Sequence, residues 1–188
     1  LHALITRHAE LSENLGLWDE ALKQYVEQGK SNSKTIDKYL CLDSKSIIGV
    51  MNCLNHLARF QELNELANSI LGNSKFSNQS ELISTCRHYA ASAAWHMIQY
   101  GQFVTLAQQL EETENNYFYL VAANVINKKF DVALDYIKKI QSKAENKLFP
   151  SISFNYERVY EDFSMVSMLN EVRETIQYHQ HQEMSRSA

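Results

Sequence analysis

The segment YAASAAWHMIQYGQFVTLAQQL, residues 89–110, decides the fold of this chain. Its first half contains a run of alanine and serine at 90–94, and such small side chains allow a neighbouring helix to approach closely. Gly101 then predicts a break in the helix. Apolar residues follow at the spacing of one face of a second helix: Phe103, Leu106, Ala107 and Leu110. The segment therefore predicts a helix, a tight turn and a helix, and the apolar face of each helix needs neighbouring pairs to cover it.

The same pattern at the junction between two paired helices recurs along the chain. In five places a bulky apolar residue is followed three positions later by a second apolar residue, and the bulky members are Trp18, Phe60, Phe103, Phe130 and Leu169. The steps between them are unequal and do not keep the roughly 34-residue period of tetratricopeptide repeats. The pattern therefore predicts an all-α fold, an α-solenoid of degenerate tetratricopeptide-like or HEAT-like hairpins with about ten helices.

The predicted hairpins belong to a single fragment of a helical repeat domain. They span roughly residues 1–29, 44–72, 80–113, 117–147 and 151–184. We expect Pro150 to mark the start of the last pair, because proline is tolerated in the first turn of a helix. Gly49 lies inside the predicted third helix, where glycine costs about 1 kcal/mol relative to alanine. Close contact with another helix is the simplest reason to keep a glycine there.

The composition favours helices and argues against several classes of protein. One proline, five glycines and 45% hydrophobic residues favour helices over a turn-rich β fold. The net charge is −4, without the basic stripe that nucleic-acid-binding domains carry. No run of 18 apolar residues occurs, so we expect no insertion into a membrane. The chain begins without Met and ends with no closing pattern, from which we expect a segment of a longer protein.

Sequence motifs for catalysis or metal binding do not occur. The five glycines are isolated and form no phosphate-binding loop, and the patterns HExxH, CxxC and GxSxG are absent. His179 and His181 would diverge on a helix, so we do not expect them to share a metal ion. We therefore assign no catalytic, cofactor-binding or metal-binding residue. Cys41, Cys53 and Cys86 are widely spaced and predict buried thiols in a reducing compartment, the cytoplasm.

Lysines are concentrated in the predicted fourth hairpin. The candidate patch consists of Lys128, Lys129, Lys138, Lys139 and Lys143. One interpretation is a solvated helix face, because cations are favourable toward a helix C-terminus. The alternative is a site for a phosphate-rich ligand or an acidic partner. The sequence leaves both interpretations open.

Three segments resemble the FAT domain of phosphatidylinositol 3-kinase-related protein kinases, most of all the target of rapamycin (TOR) branch. They are residues 93–112, 117–140 and 156–179. The last is the most specific, since the family pattern of Tyr, Arg and Tyr followed by Met and Leu is matched by Tyr156, Arg158, Tyr160, Met168 and Leu169. The junctions and this resemblance together give a predicted signature core: Trp18, Phe60, Trp95, Phe103, Phe130, Tyr156, Tyr160 and Leu169.

This resemblance implies a non-catalytic helical arch that lies N-terminal to a Ser/Thr kinase domain and clamps it. The partners it implies are that kinase domain, adjacent helical repeats and the scaffold subunits of TOR complexes, in nutrient and growth signalling. FAT arches of this family can hold an inositol polyphosphate against basic side chains. The corresponding segments here, residues 48–54 and 82–88, offer only Arg87 and His88 where such a pocket needs more basic side chains, so we assign no ligand residue. The implied location is cytoplasmic, including endomembranes reached through partners.

Two other classes of function stay open. A free-standing tetratricopeptide-type adaptor would bind a peptide or protein partner, using Asn14, Asn52, Asn55 and Arg59 to grip a carboxylate. An enzyme with a helical active site would need a cluster of titratable groups, which the sequence does not indicate. We therefore predict that this fragment is not an enzyme, and the family resemblance implies that the full-length protein is a Ser/Thr protein kinase.

Overall fold

The computed structural model describes residues 2–28, 36–151 and 156–187. Within these ranges the regular structure is helical and contains no strand, with ten α-helices and two short 3-10 turns, Ser74–Phe76 and Glu114–Asn116. The helices are α1 (His2–Asn14), α2 (Trp18–Gln28), α3 (Asp37–Leu40), α4 (Ser44–His56), α5 (Phe60–Leu71), α6 (Ser80–His96), α7 (Tyr100–Ala107), α8 (Tyr117–Ile126), α9 (Phe130–Ser151) and α10 (Tyr156–Ser187). The predicted all-α class, built from helical hairpins, is confirmed.

The contacts divide the chain into two compact units, unit 1 at Leu1–Glu111 and unit 2 at Glu112–Ala188. In unit 1 the hairpins are α1–α2, α4–α5 and α6–α7, and the second helix of each of the first two packs on the first helix of the next. In unit 2 α8 packs on α9, and α9 packs on α10. Apolar faces that one hairpin cannot bury alone are thus covered by a neighbouring helix.

Four hairpin turns share one backbone geometry. Two residues after the first helix ends, the chain takes a left-handed conformation, with φ of 72° at Gly16, 55° at Ala58, 60° at Ile98 and 57° at Lys128. In the second turn, the Arg59 amide donates to the Leu54 carbonyl at 2.9 Å and the Ala58 amide donates to Asn55 at 3.1 Å. The other three turns repeat both bonds. This is the Schellman arrangement, which satisfies carbonyls at the end of a helix.

The structure corrects the position of the third turn. The predicted break at Gly101 is wrong, because α6 ends at His96 and Gly101 lies in the first turn of α7. Ile98 takes the left-handed position of this turn, so the chain reverses without a glycine. The third hairpin therefore has Tyr100, not Phe103, in the place that Trp18 and Phe60 occupy in the others.

The last predicted pair is also wrong. Residues 156–187 form one continuous helix, and Leu169 is a buried residue in its middle, where a turn was predicted. No glycine or proline occurs in this stretch, so nothing in it interrupts the backbone hydrogen bonds. Pro150 does not start a new helix either, because it is the penultimate residue of α9.

Close approach between α2 and α4 explains the glycine inside α4. A Cβ atom built on Gly49 would lie 2.4 Å from the Cζ of Tyr25, far inside contact distance. The small-residue surface predicted at 90–94 is buried as well. Unit 1 therefore packs its helices by leaving room for the backbone at selected positions.

A polar chain of hydrogen bonds joins four helices of unit 1. The Tyr25 hydroxyl donates to Glu13 at 2.6 Å, and the amide of Asn52 donates to the other oxygen of Glu13 at 3.0 Å. The Tyr89 hydroxyl then donates to Asn52 at 3.3 Å. Burial, and after it the bond to Glu13, raises the pKa of Tyr25, so the ring stays a neutral donor.

Aromatic stacking marks both joints between hairpins in unit 1. The Trp18 ring stacks on His56 with centroids 3.8 Å apart and planes 4° from parallel. Phe60 stacks on His96 at 4.3 Å and 9°. Trp18 and Phe60 are each the first residue of a hairpin's second helix. Each contacts the histidine that ends the first helix of the next hairpin. The three turns of unit 1 are therefore neighbours along one edge.

Candidate partner-binding surfaces

The described residues offer no arrangement suited to metal chemistry. Among residues 2–28, 36–151 and 156–187, no three His, Cys, Asp or Glu side chains are grouped so that they could hold a metal ion. His179 and His181 both lie on the continuous helix α10. None of the helices in these ranges is long and apolar enough to cross a membrane. The candidate sites described next are two surface features of unit 2.

The predicted lysine patch is divided by local partners. Lys138 lies 3.9 Å from Asp135 on the same helix, and Lys143 lies 3.3 Å from the hydroxyl of Tyr117. Lys128 and Lys129 are exposed in the turn between α8 and α9. The structure brings the five lysines to one helix and its preceding turn but not to one point. An anion site at these lysines stays a prediction.

Lys139 takes part in a three-residue contact on this surface. Its ammonium group lies 3.0 Å from Glu112, whose other oxygen accepts a 2.9 Å hydrogen bond from Tyr136. The bond from Lys139 and then that from Tyr136 lower the pKa of Glu112. Glu112 in turn raises the pKa of Lys139. The positive charge of Lys139 is therefore already paired with the Glu112 carboxylate, and an incoming anion would have to compete with that carboxylate.

A second surface in unit 2 is an apolar groove of about 550 Å³. One wall is the turn between α8 and α9, with Ile126 and Phe130, and the other is α10, with Met168 and Val172. Lys128 and Glu171 supply opposite charges at its rim. Ile126 and Met168 are each more than 40% exposed, so the groove presents apolar surface to solvent.

The signature residues lie in different parts of the fold. Phe103 and Leu169 are buried, whereas Trp18, Phe60, Trp95 and Phe130 are partly exposed. The structure brings Trp95 and Phe103 together, with ring centroids 5.1 Å apart inside one hairpin. Tyr156 and Tyr160 lie in α10, but their side chains fall outside the part of the chain that the structure describes.

Sequence reasoning missed the histidines of the stacked pairs. The segments HLARF at 56–60 and HMIQY at 96–100 both place an aromatic residue four positions after a histidine. That spacing spans the turn, because the histidine ends one helix and the aromatic residue begins the next. The recurrence was visible in the sequence, but contact between successive hairpins was not.

Comparison with known families agrees with this architecture. The family model described as FAT domain matches residues 87–188, which is more than half of the chain. The chain belongs to the FAT domain family. The match begins inside α6 and includes all of unit 2, so both units contribute to the FAT domain.

Three relatives resemble this FAT domain along most of its length. The serine/threonine-protein kinase TOR of Arabidopsis thaliana is 28% identical over 185 residues, covering 89% of the chain, and that of Oryza sativa subsp. japonica is 27% identical over 184 residues, covering 88%. The serine/threonine-protein kinase mTor of Drosophila melanogaster is 28% identical over 167 residues, covering 88%. The matched regions are 7%, 7% and 6% of these relatives. No solved structure gives a significant match to the FAT domain chain.

Proposed function

We propose that this chain is a non-catalytic helical scaffold segment of a TOR-like Ser/Thr protein kinase. In that role it clamps the kinase domain and presents binding surfaces to partners in nutrient and growth signalling. The observation that carries the proposal is the FAT domain match at residues 87–188, on a chain similar to TOR kinases over most of its length.

The physical character of unit 1 supports a scaffold. Its strongly shifted titratable groups are buried and bonded into the packing: Tyr39 donates to Glu62 at 2.8 Å, and burial raises its pKa. Burial also raises the pKa of Cys53 and Cys86 to about 12, so both thiols stay protonated and unreactive at neutral pH. These groups hold helices together, and none is positioned to activate a substrate.

The proposed partners are the kinase domain of the same protein, adjacent helical repeats and the scaffold subunits of TOR complexes. The proposed location is the cytoplasm, with endomembranes reached through those partners. Surfaces such as the apolar groove beside α10 suit this role, because helical repeat proteins bind through extended exposed faces. We propose no cofactor for this fragment, and an inositol polyphosphate site stays a prediction of the family resemblance alone.

The proposal is tested in the full-length TOR-like kinase that contains this chain. Phe103→Ala, which disrupts the core of unit 1, should reduce protein-kinase activity and the recovery of scaffold subunits, although it touches no catalytic residue. Lys23→Ala, on the exposed surface of α2, is the matched control and should change neither. Unchanged activity and assembly in a Phe103→Ala protein that has lost its local structure would refute the clamp.

Two observations test the scaffold against the alternatives. They are the reading frame after residue 188 and the activity of the isolated chain. A kinase domain encoded after residue 188 supports the scaffold, whereas a stop codon soon after it supports the adaptor. Purified chain should show no transfer of phosphate from ATP above a buffer blank. Activity that survives repurification and is lost on substitution of a residue of this chain would contradict a non-catalytic role.

A further inference from the structure

Both joints between hairpins in unit 1 contain a histidine. The His56 imidazole lies flat on the Trp18 ring at 3.8 Å between centroids, and the His96 imidazole lies flat on Phe60 at 4.3 Å. Both histidines are nevertheless exposed to solvent. Histidine is the side chain whose charge ordinarily changes close to neutral pH. The joints of unit 1 therefore contain groups that can gain a charge under physiological conditions.

The ring stacks favour the protonated form of each histidine. A cation over the face of an aromatic ring is attracted by the negative charge of that face, most strongly over tryptophan. An imidazolium is planar and delocalised like a guanidinium, so it can keep the same stack when it gains a proton. Because both histidines are exposed, their N–H groups stay hydrated and protonation adds little desolvation cost.

The place of the histidines in the fold acts in the same direction. His56 is the last residue of α4, and His96 is the last residue of α6. The carbonyl groups at the C-terminal end of a helix carry partial negative charge, which favours a cation in the last turn. Two separate features, the ring beneath each histidine and the helix that it ends, therefore stabilise the charged form.

The charged groups around His56 do not oppose its protonation. Four elements pack near this end of α4: α1 through the Glu13–Asn52 bond, α2 through Trp18, and α3 and α5, which share a cavity beside the turn. Their charged residues at this end are Glu13, Asp19, Glu20, Lys23, Asp37, Lys38, Arg59 and Glu62. Carboxylates outnumber cations in this group, and Arg59 is already paired with Glu62.

The surroundings of His96 are similarly balanced. The elements packed at this end of α6 are α5, α7 and the end of α4. The α7 sequence contains no Asp, Glu, Lys, Arg or His. On α5 the charge of Arg59 is matched by Glu62, and Glu65 follows one turn later. His56 is the other titratable neighbour, and its charge when protonated is offset by the carboxylates around it.

We propose that the Trp18–His56 and Phe60–His96 joints form a pH-sensitive device, in which protonation of both histidines strengthens the packing between the hairpins of unit 1. Unit 1 then gains stability as the pH falls through the ordinary titration range of histidine, near about 6.5, and loses it again as the pH rises. The rigidity of the hairpin stack thereby depends on the pH around it. The inference goes beyond the proposed scaffold function and does not rest on it.

The test compares thermal unfolding of the 188-residue chain at about pH 8 and about pH 6, which spans the titration of histidine and stays above that of most carboxyl groups. Tryptophan fluorescence follows unit 1, because both tryptophans, Trp18 and Trp95, belong to it. The double variant His56→Phe/His96→Phe keeps an aromatic ring at each joint and removes the titration. Over this pH change, the melting temperature of the unmodified chain should rise by about 2 to 5 °C relative to that of the double variant.

Single substitutions separate the ring from other effects of protonation. His8→Phe is the matched control, because His8 is exposed on α1 of the same unit, and it should keep the full rise. Trp18→Leu leaves His56 at the end of α4 but removes the ring beneath it, so it should reduce the rise by roughly a third to a half. His96→Phe alone should reduce the rise by a similar amount, which keeps the test available if the double variant does not fold.

Three outcomes would overturn the proposal. They are an equal rise in the unmodified chain and in the histidine variants, an undiminished rise in Trp18→Leu, and a rise that is lost in His8→Phe. The last would mean that any histidine of unit 1 produces the effect. All three leave the scaffold proposal standing, because that proposal is tested by kinase activity and complex assembly in the full-length protein.

Discussion

Units 1 and 2 use the same turn and the same pattern of burial but build different structures from them. The buried positions in and just after α7 are Phe103, Ala107 and Leu110, and the equally spaced positions 30 residues later are Ala133, Ile137 and Ile140, also buried. The helices then diverge, since α7 ends at Ala107 and α9 continues to Ser151. The turn is thus the constant feature of the repeat, and helix length is free to vary.

The two units also differ in how they are held together. In unit 1 the bonds that cross between helices are partly buried, as in the chain from Tyr25 through Glu13 to Asn52. Unit 2 also has a partly buried bond between helices, from Gln141 to Asn170 at 2.7 Å, but its contact of Glu112 with Lys139 joins side chains that are each more than half exposed. Because exposed pairs contribute little, we expect substitutions in the polar chain of unit 1 to cost more than substitutions of the Glu112–Lys139 pair.

The largest expected effect on stability is that of replacing Phe103 in unit 1 with alanine, the residue that unit 2 has at the equivalent position, Ala133. Phe103→Ala creates a cavity at a fully buried position and should cost about 3 to 5 kcal/mol. Urea unfolding followed by tryptophan fluorescence measures the change, with Trp95 beside the cavity as reporter. Lys138→Ala on α9 should cost less than about 0.5 kcal/mol. Similar small changes in both variants would remove the contrast between the units.

Gly49→Ala should have the next largest effect. The added methyl group meets the Tyr25 ring, which must move and weaken its bond to Glu13, so we expect a loss of about 1 to 3 kcal/mol. Gly101→Ala is the matched control, because nothing lies within 4 Å of its Cβ position. It should stabilise α7 by about 0.5 kcal/mol. Chemical denaturation of both variants distinguishes steric crowding at position 49 from a general effect of helix propensity. If both substitutions stabilised the protein, the close packing of Gly49 against Tyr25 would be contradicted.

Ile98→Gly and Lys128→Gly compare the same turn in the two units. Each removes a side chain from a left-handed position, so each should raise stability, by roughly 0.5 to 1 kcal/mol for the β-branched Ile98 and by less for Lys128. Calorimetry of the two variants measures the difference. A fall in melting temperature for Ile98→Gly would show that its side chain supports the fold.

The smallest effect concerns the acid stability of unit 2. Because Glu112 has a lowered pKa in the folded chain, its contribution is present at neutral pH and is lost as pH falls below about 4.5 and passes through the folded value. Glu112→Gln should therefore lower the melting temperature slightly at pH 7, and by less and less as the pH falls below about 4.5. Glu27→Gln, an exposed carboxyl of unit 1, is the control. A difference that does not shrink as the pH falls would mean that the side chain acts by packing.

The sequence predicted the helical class and most hairpins because apolar spacing is local information. It misplaced the turn after α6, since Ile98 rather than a glycine fills the left-handed position, and propensity gives no sign of that. It also divided α10 at Leu169, where apolar spacing alone cannot separate one long helix from two. The candidate lysines could be identified from the sequence. The contact of Lys139 with Glu112 could not, because the two residues are 27 positions apart and only the folded chain brings them together.

The unbroken course of α10 has a mechanical consequence. Its 32 residues extend about 48 Å at the usual rise of an α-helix. Kinks in long helices arise mainly at proline and glycine, and this helix has neither. A small rotation applied near Tyr156 is therefore carried as a rigid-body swing to Ser187, so this segment can act as a lever arm between whatever contacts its two ends.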